Sequence, residues 1–191
     1  MTGWRTFIAI ALPSPLQQAL RAPIAGLADV DAARTSAVDR IHLTLHFLGN
    51  LSPDAVAELG DRIAPRLVEQ PPFEVEVAGV GAFPSLRRPQ TLYADLREPG
   101  LDRVIGLQAS LRPALEEAGL AVDRRAYRPH LTLARLRRPP RAQERRRLEE
   151  WAATLRDARF GALQVDRVSL MRSELGGGPP RYTELRTFPL Q

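Results

Sequence analysis

The feature that most constrains this chain is a short stretch it contains twice. Ile41-His42-Leu43-Thr44-Leu45-His46-Phe47-Leu48-Gly49 is followed, much later, by Pro129-His130-Leu131-Thr132-Leu133-Ala134-Arg135. In each copy polar and apolar residues alternate, the signature of a half-buried strand. Side chains on a strand point alternately to its two faces, so histidine and threonine share one face and the leucines the other. The leucine faces must pack into a core. The opposite faces then present an imidazole and a hydroxyl about 6–7 Å apart along the strand. Four-letter identity at two places 88 residues apart, nearly half of a 191-residue chain, is where an internal duplication would put it. Two of the three histidines open these motifs.

The rest of the chain follows a repeated order. Arg5–Leu12 reads as a strand, and Ser14-Pro15 as the N-cap and first position of a helix that Pro23 kinks or ends. Residues 29–39 read as a loop. Ser52-Pro53 repeats the capping signal for a helix to about Val68, and Phe73–Ala78 alternates as a strand before a Gly/Pro-punctuated crossover, 79–85. In the second half, Thr91–Leu96 reads as a strand and Leu101–Ala118 as a helix ending at Gly119. Ala121–Arg125 reads as a short strand ahead of the second motif strand, Pro129–Arg137. Pro139-Pro140 then precedes a charged helix, about Ala142–Arg156. Gly161–Met171 reads as one strand, Glu174–Pro180 as a turn and Tyr182–Phe188 as the last strand. No separable linker appears. The expectation is one α+β domain of two pseudo-twofold-related lobes, approximately 1–85 and 86–191, each an antiparallel sheet with helices on its outer face and a cleft between the sheets.

Composition narrows the function classes. No apolar run approaches a membrane span, and no signal-peptide pattern opens the chain. There is no cysteine, hence no disulfide or thiolate metal site, which fits the cytoplasm. All 27 basic residues are arginines, whose planar donors suit phosphate, and the net charge of +5 permits an anionic partner. No heptad seam is evident, so a monomer is the default. His42 and His46 would lie about 13 Å apart along a strand, too far to share one ion, and no other metal-ligand spacing appears.

With the flanking words FIAIALP, IHLTLHFLGN, GVGAFPS, RPHLTLARL and YTELRTFPL, the twin motifs resemble the two-histidine phosphoesterase superfamily, in particular its bacterial RNA 2′,3′-cyclic phosphodiesterases, also called 2′-5′ RNA ligases. The resemblance spans essentially the whole chain. It implies an enzyme that needs no metal or cofactor and opens the 2′,3′-cyclic phosphate at an RNA end to a 2′-phosphomonoester. By the same resemblance His42 protonates the 3′ oxygen, His130 activates water, and Thr44 and Thr132 hold the phosphate. The chemistry suits these residue types, since an imidazole can give or take a proton near neutrality and a hydroxyl can donate to a non-bridging oxygen. Arg135 matches a family arginine near the phosphate, although strict alternation would turn it away from His130, so a bend is required.

His46 shares the His42 face by alternation and is expected to line the cleft or to be solvated. Phe7 and Tyr182 are candidates to stack on a base, with core packing as the alternative. Arginines 137, 138, 141, 145, 146 and 147 form the densest positive stretch. It reads as a solvated helix partnered by Glu144, Glu149 and Glu150, or as an RNA-backbone track. Two other functions compete with hydrolysis: a ligase joining cyclic-phosphate and 5′-hydroxyl RNA ends through a 2′-5′ bond, with an RNA alcohol replacing water at the same site, and an RNA-binding protein without activity. A pure binding module has no need of paired acid and base.

Overall fold

A computed structural model describes residues 3–174, 176 and 180–191. Nine strands and five α-helices are assigned among them. Strand β1 (Trp4–Ala11) leads to helices α1 (Ser14–Ala19) and α2 (Arg21–Ala25), a short strand β2 (Ala33–Thr35) and the first motif strand β3 (His42–Leu51). Helix α3 (Pro53–Val68), strands β4 (Phe73–Phe83) and β5 (Thr91–Arg97), helix α4 (Leu101–Glu117) and the second motif strand β6 (His130–Leu136) follow. Helix α5 (Ala142–Thr154) and strands β7 (Arg159–Val165), β8 (Arg167–Glu174) and β9 (Arg181–Pro189) complete the chain.

The strands form one antiparallel sheet in the order β7-β4-β5-β6-β3-β1-β8-β9, with β2 beside β6. The two motif strands are central, and their direct pairing is confined to Leu43 opposite Leu131. Beyond that point β2 takes over the free edge of β6, pairing Ala33–Thr35 with Leu136–Ala134. The order is symmetric about the β3–β6 junction, giving an α+β fold of two lobes. Neither lobe is built from one half of the sequence: β4 joins β5 and β6, whereas β8 and β9 join β1 and β3.

One face of the sheet carries the core. Leu43, Leu45, Leu131 and Leu133 bury there with Ile8 and Ile10 of β1 and with the apolar stripes of all the longer helices, including Leu59 and Ile63 of α3, Leu107 and Leu111 of α4, and Leu148 and Trp151 of α5. Helix α3 starts as its sequence signals, with Ser52 Oγ accepting from the Ala55 amide at 3.2 Å.

Several local expectations are corrected. Pro13, not Ser14, caps α1: its backbone is extended and its carbonyl accepts the first helical bond, from Gln17 N at 3.1 Å. The helix breaks at Leu20 rather than at Pro23, because Pro23 has no N–H for the carbonyl four residues upstream and its ring crowds that carbonyl. The 29–39 segment contains β2 and a 3-10 turn over Val38–Arg40. Strand β4 runs through the expected crossover to Phe83, passing a bulge at which Gly79 adopts φ 76°. Ala121–Arg125 is not a strand. The single strand expected over 161–171 is two, broken at Asp166, because β7 pairs with β4 of one lobe and β8 with β1 of the other. The turn expected over 174–180 lies largely outside the described residues. No helix among those described is long and apolar enough to cross a membrane.

Candidate active site

The face of the sheet opposite the core presents His42, Thr44, His130 and Thr132, each half-buried, from the strands that flank the Leu43–Leu131 pair. Antiparallel pairing runs the strands in opposite senses, so the His42 end of β3 lies towards the Thr132 end of β6, and the converse.

The two imidazoles are held alike. His42 Nδ1 lies 2.8 Å from the Arg40 carbonyl, and His130 Nδ1 lies 2.8 Å from the Arg128 carbonyl. A carbonyl only accepts, so Nδ1 carries the proton in both rings, and Nε2 of each neutral imidazole keeps a lone pair. Aromatic rings fix the ring planes. Phe7 and Tyr182 sit 4.8 and 5.0 Å from His42, and Phe83 and Tyr93 sit 4.8 and 5.6 Å from His130. Gly81 makes room for Tyr93, since a Cβ there would fall 2.6 Å from the Tyr93 hydroxyl.

Burial is the main cause that pushes the His42 pKa below its ordinary 6.5. The charges of Arg135 and His130 act in the same direction, and the bond to the Arg40 carbonyl opposes them. His130 is lowered by burial too, then by Arg135 and Arg128, with the Arg128 carbonyl and Asp95 opposing. Both histidines therefore sense the Arg135 charge, so this guanidinium stands by the shared space.

Arg135 reaches the cleft because β6 is bulged. Leu92 of β5 pairs with Ala134 and the next residue, Tyr93, pairs with Thr132, leaving Leu133 as the extra residue. The extra residue reverses the alternation beyond it, burying Ala134 and turning Arg135 to the His130 face. There Arg135 lies opposite Thr91 and donates to its Oγ1 at 3.3 Å. On the other side β2 sets Arg34 directly opposite Arg135.

Strand β3 carries the matching bulge. Ile8 pairs with His46 and Ala9 with Thr44, so Leu45 is extra. This corrects the expectation for His46, which is neither cleft-lining nor solvated. It is 6% exposed, on the core side, donating Nε2–H to the Gln108 carbonyl of α4 at 2.8 Å. Burial lowers its pKa as well. Phe47 instead turns outward and is 66% exposed.

The two aromatic candidates divide. Phe7 is 3% exposed, buried beneath the His42, Phe47 and Tyr182 rings, so it supports the site without offering a free face. Tyr182 is half-buried and, with His42, Arg40 and Arg181, lines a cavity of about 730 Å³. The arginine-rich stretch is divided: Arg137 and Arg138 follow β6, Arg141 caps α5, and only Arg145, Arg146 and Arg147 lie in that helix, whose Leu148 and Trp151 enter the core on the face opposite the His–Thr residues, with Trp151 Nε1 donating to the Pro23 carbonyl. Of the expected acidic partners, Glu144 serves. It accepts from Arg138 at 2.7 Å and from the amides of Arg141 and Ala32, which hold its carboxyl at about 2.

Tyr93, Phe83, Arg34 and Phe47 escape a reading of the sequence for site residues. Phe83 falls within the GVGAFPS stretch and Phe47 within IHLTLHFLGN, where alternation puts it on the leucine face; Tyr93 and Arg34 sit in segments whose pairing has first to be known.

The chain matches the model of the 2'-5' RNA ligase superfamily over residues 14–177 and belongs to that family. A Thermus thermophilus protein named RNA 2',3'-cyclic phosphodiesterase is 31% identical, covering 98% of this chain and 90% of its own. A protein of the same name from Methanothermobacter thermautotrophicus is 29% identical, covering 97% and 98%. Among solved structures, one from Thermus thermophilus superposes with a TM-score of 0.80 at 27% identity, over 97% of both chains. Escherichia coli LigT, complexed with 3'-AMP, gives 0.77 at 26% identity, over 98% of both.

Proposed function

We propose that this protein hydrolyses the 2′,3′-cyclic phosphate at RNA ends to a 2′-phosphomonoester. His42 is the acid that protonates the departing 3′ oxygen, and His130 is the base that takes a proton from the attacking water. The observation that carries this reading is the matched pair of Nδ1–H bonds to backbone carbonyls two residues upstream, which leaves Nε2 of each ring as the working atom. Thr44 and Thr132 donate to the non-bridging phosphate oxygens, and Arg135 offsets the charge that builds on them in the transition state. Acid, base and charge stabilisation all come from side chains. The family name and the names of the relatives support the RNA substrate, and the same reading makes RNA the partner and the cytoplasm the compartment. We also propose that the chain acts as one unit derived by duplication of residues 1–85 and 86–191.

The test is incubation of a short RNA ending in 2′,3′-cyclic phosphate, with EDTA present, and identification of the product. The expected product is the 2′-phosphate, at a rate the chelator leaves unchanged. A 3′-phosphate product, or activity lost to EDTA and restored by a divalent ion, overturns the assignment. Adding an RNA with a 5′-hydroxyl tests ligation in the same tube, since a 2′-5′ joined product requires only that an RNA alcohol replace water as the nucleophile that opens the ring.

A further inference from the structure

The two imidazoles are held alike, so the motif strands by themselves do not say which ring gives a proton and which takes one. The strands beside them do differ. Strand β1 flanks β3 as β5 flanks β6, and each histidine has one residue directly opposite it on the flanking strand. Opposite Thr44 and Thr132 stand Ala9 and Tyr93. Opposite His42 and His130 stand Ala11 and Asp95. Residues paired in this way share a face, with Cβ atoms about 4.5–5.5 Å apart. A carboxylate therefore stands beside His130 where His42 has a methyl group.

The cations are unequal too. Arg40 and Arg128 hold matching places two residues before each histidine, and both lend a backbone carbonyl to Nδ1. The Arg128 guanidinium lies over the Phe83 ring, 4.7 Å from its centroid, and that ring packs edge-to-face on His130. The Arg40 guanidinium is turned to the Pro180 carbonyl at 3.3 Å and to Asp39 at 4.0 Å. His130 thus faces Arg128, Arg135, Asp95 and Tyr93, whereas His42 faces Arg135, His130 and Tyr182. Arg97, two residues past Asp95, is turned to the Arg156 carbonyl at 2.6 Å. Burial and two arginines oppose a charge on His130, and Asp95 opposes them. An imidazole that holds a proton too weakly draws one from water poorly. Asp95 is half-buried, and its Oδ1 accepts from the Leu96 amide at 3.1 Å, which fixes the carboxylate on the strand. His130 Nδ1 is committed to the Arg128 carbonyl, so Asp95 acts on the ring through its charge.

We propose that Asp95 is the positioning residue that makes His130, rather than His42, the base: its carboxylate stabilises the imidazolium that forms when His130 takes the proton from water. This rests on the hydrolytic reading. In that step the water oxygen bonds to phosphorus as its proton passes to His130 Nε2. The bond from phosphorus to the 3′ oxygen breaks, and that oxygen takes the proton of His42 Nε2 with the electron pair it carries away. The bond to the 2′ oxygen stays. Positive charge moves from His42 to His130, towards the side that holds the carboxylate.

The experiment measures kcat and KM on a short RNA ending in 2′,3′-cyclic phosphate for the wild type and Asp95→Asn, which keeps the acceptor for Leu96 and removes the charge. A base supplies about 10²–10⁴-fold, and losing its charge support should cost a fraction of that, about 3- to 30-fold in kcat with KM nearly unchanged. Asp95→Glu should keep more activity than Asp95→Gln, which repeats the comparison at a second side-chain length. Asp95→Asn should cost nothing further in His130→Ala and its full amount in His42→Ala. In an NMR titration of the free protein, Asp95→Asn should move the His130 midpoint to lower pH and leave that of His46 in place. An unchanged kcat, an equal cost in His130→Ala, or a stationary His130 midpoint would each overturn the proposal. If the wild type leaves the RNA uncut, the hydrolytic reading itself fails; wild-type cleavage with an unaltered kcat in Asp95→Asn removes only the role of Asp95.

Discussion

The Tyr127 hydroxyl donates to the backbone carbonyl of Thr44 at 2.8 Å, tying the segment that enters the second motif strand to the middle of the first. The phenol is half-buried, and burial raises its pKa, so it stays a neutral donor throughout the working range. Tyr127→Phe removes the donor and leaves a carbonyl without its partner, a loss of about 1–3 kcal/mol. A melting-temperature decrease of about 2–4 °C per kcal/mol is expected for a chain of this size. An unshifted melting curve would mean that water replaces the hydroxyl without loss.

His42→Ala and His130→Ala should each cost about 10²–10⁴-fold or more in kcat, the usual contribution of general acid or base catalysis. The double variant should lose far less than the product of the single losses, since the pair acts on one transition state. A substrate analogue with a much better leaving group needs less help from the acid, so it should rescue His42→Ala more than His130→Ala. Preferential rescue of His130→Ala would exchange the two roles.

The pH dependence follows from the direction of the shifts. Both imidazoles are held below 6.5 in the free protein, burial being the first cause in each. The profile of kcat/KM reports the free enzyme, so it should be bell-shaped with its maximum below pH 6.5 and its limbs belonging to the pair. A bound phosphate anion favours the charged imidazoles, so the kcat profile should lie at higher pH. A kcat/KM maximum above about pH 7 would contradict the lowered values.

Stability should respond to the same groups. Below about pH 6.5 the unfolded chain binds more protons than the folded one at His42, His46 and His130, all of which have lowered pKa values. Stability from this source is therefore present above pH 6.5 and lost as pH falls towards the folded values. Thermal melts from about pH 8 to about pH 5 should show the decline, and it should be smaller in His46→Gln if that buried ring contributes. A flat profile would remove the linkage.

Arg34 and Arg135 face each other directly across β2 and β6, an arrangement that repels unless an anion lies near. Inorganic phosphate should therefore raise the melting temperature at matched ionic strength, by about 2.7 kcal/mol of stability at about a hundred times its Kd. Arg135→Ala should shrink that increase. An equal response to chloride would mean that no anion site exists there.

The catalytic candidates are legible because their chemistry and their period agree: His-x-Thr on one face and leucines on the other leave one way to place each strand up to Leu45. Past Leu45 the sequence is apolar in both phases, with Phe47 on one and Leu48 on the other, and nothing in the letters marks a bulge. Alternation therefore puts His46 on the wrong face, and Arg135 needs a bend that only the pairing of β5 with β6 explains. Strand β2 escapes for a related reason. Three residues, Ala-Arg-Thr, carry no period, and their extended form depends on the β6 edge that opens where β3 departs. The 161–171 run looks continuous because Asp166 is an ordinary turn residue until two different sheet neighbours claim its two sides. Ser52 is readable as a cap because that helix is set by local signals alone, whereas Pro13 takes the same role ahead of Ser14 without any side-chain bond.

The exchange of strands between lobes bears on how the molecule comes apart. Because β4 is wedged between β5 and β7 while β8 sits between β1 and β9, cutting the chain after residue 85 would strip each lobe of strands it needs. Neither fragment would have a complete sheet to fold around, yet the two together would hold every edge partner. Such a molecule should melt in one cooperative step, and co-expressed halves should reassemble as an intertwined pair where either alone fails. Strands held in this way also limit how far the lobes can swing apart, so RNA must enter a cleft whose width is set by the weave of the sheet.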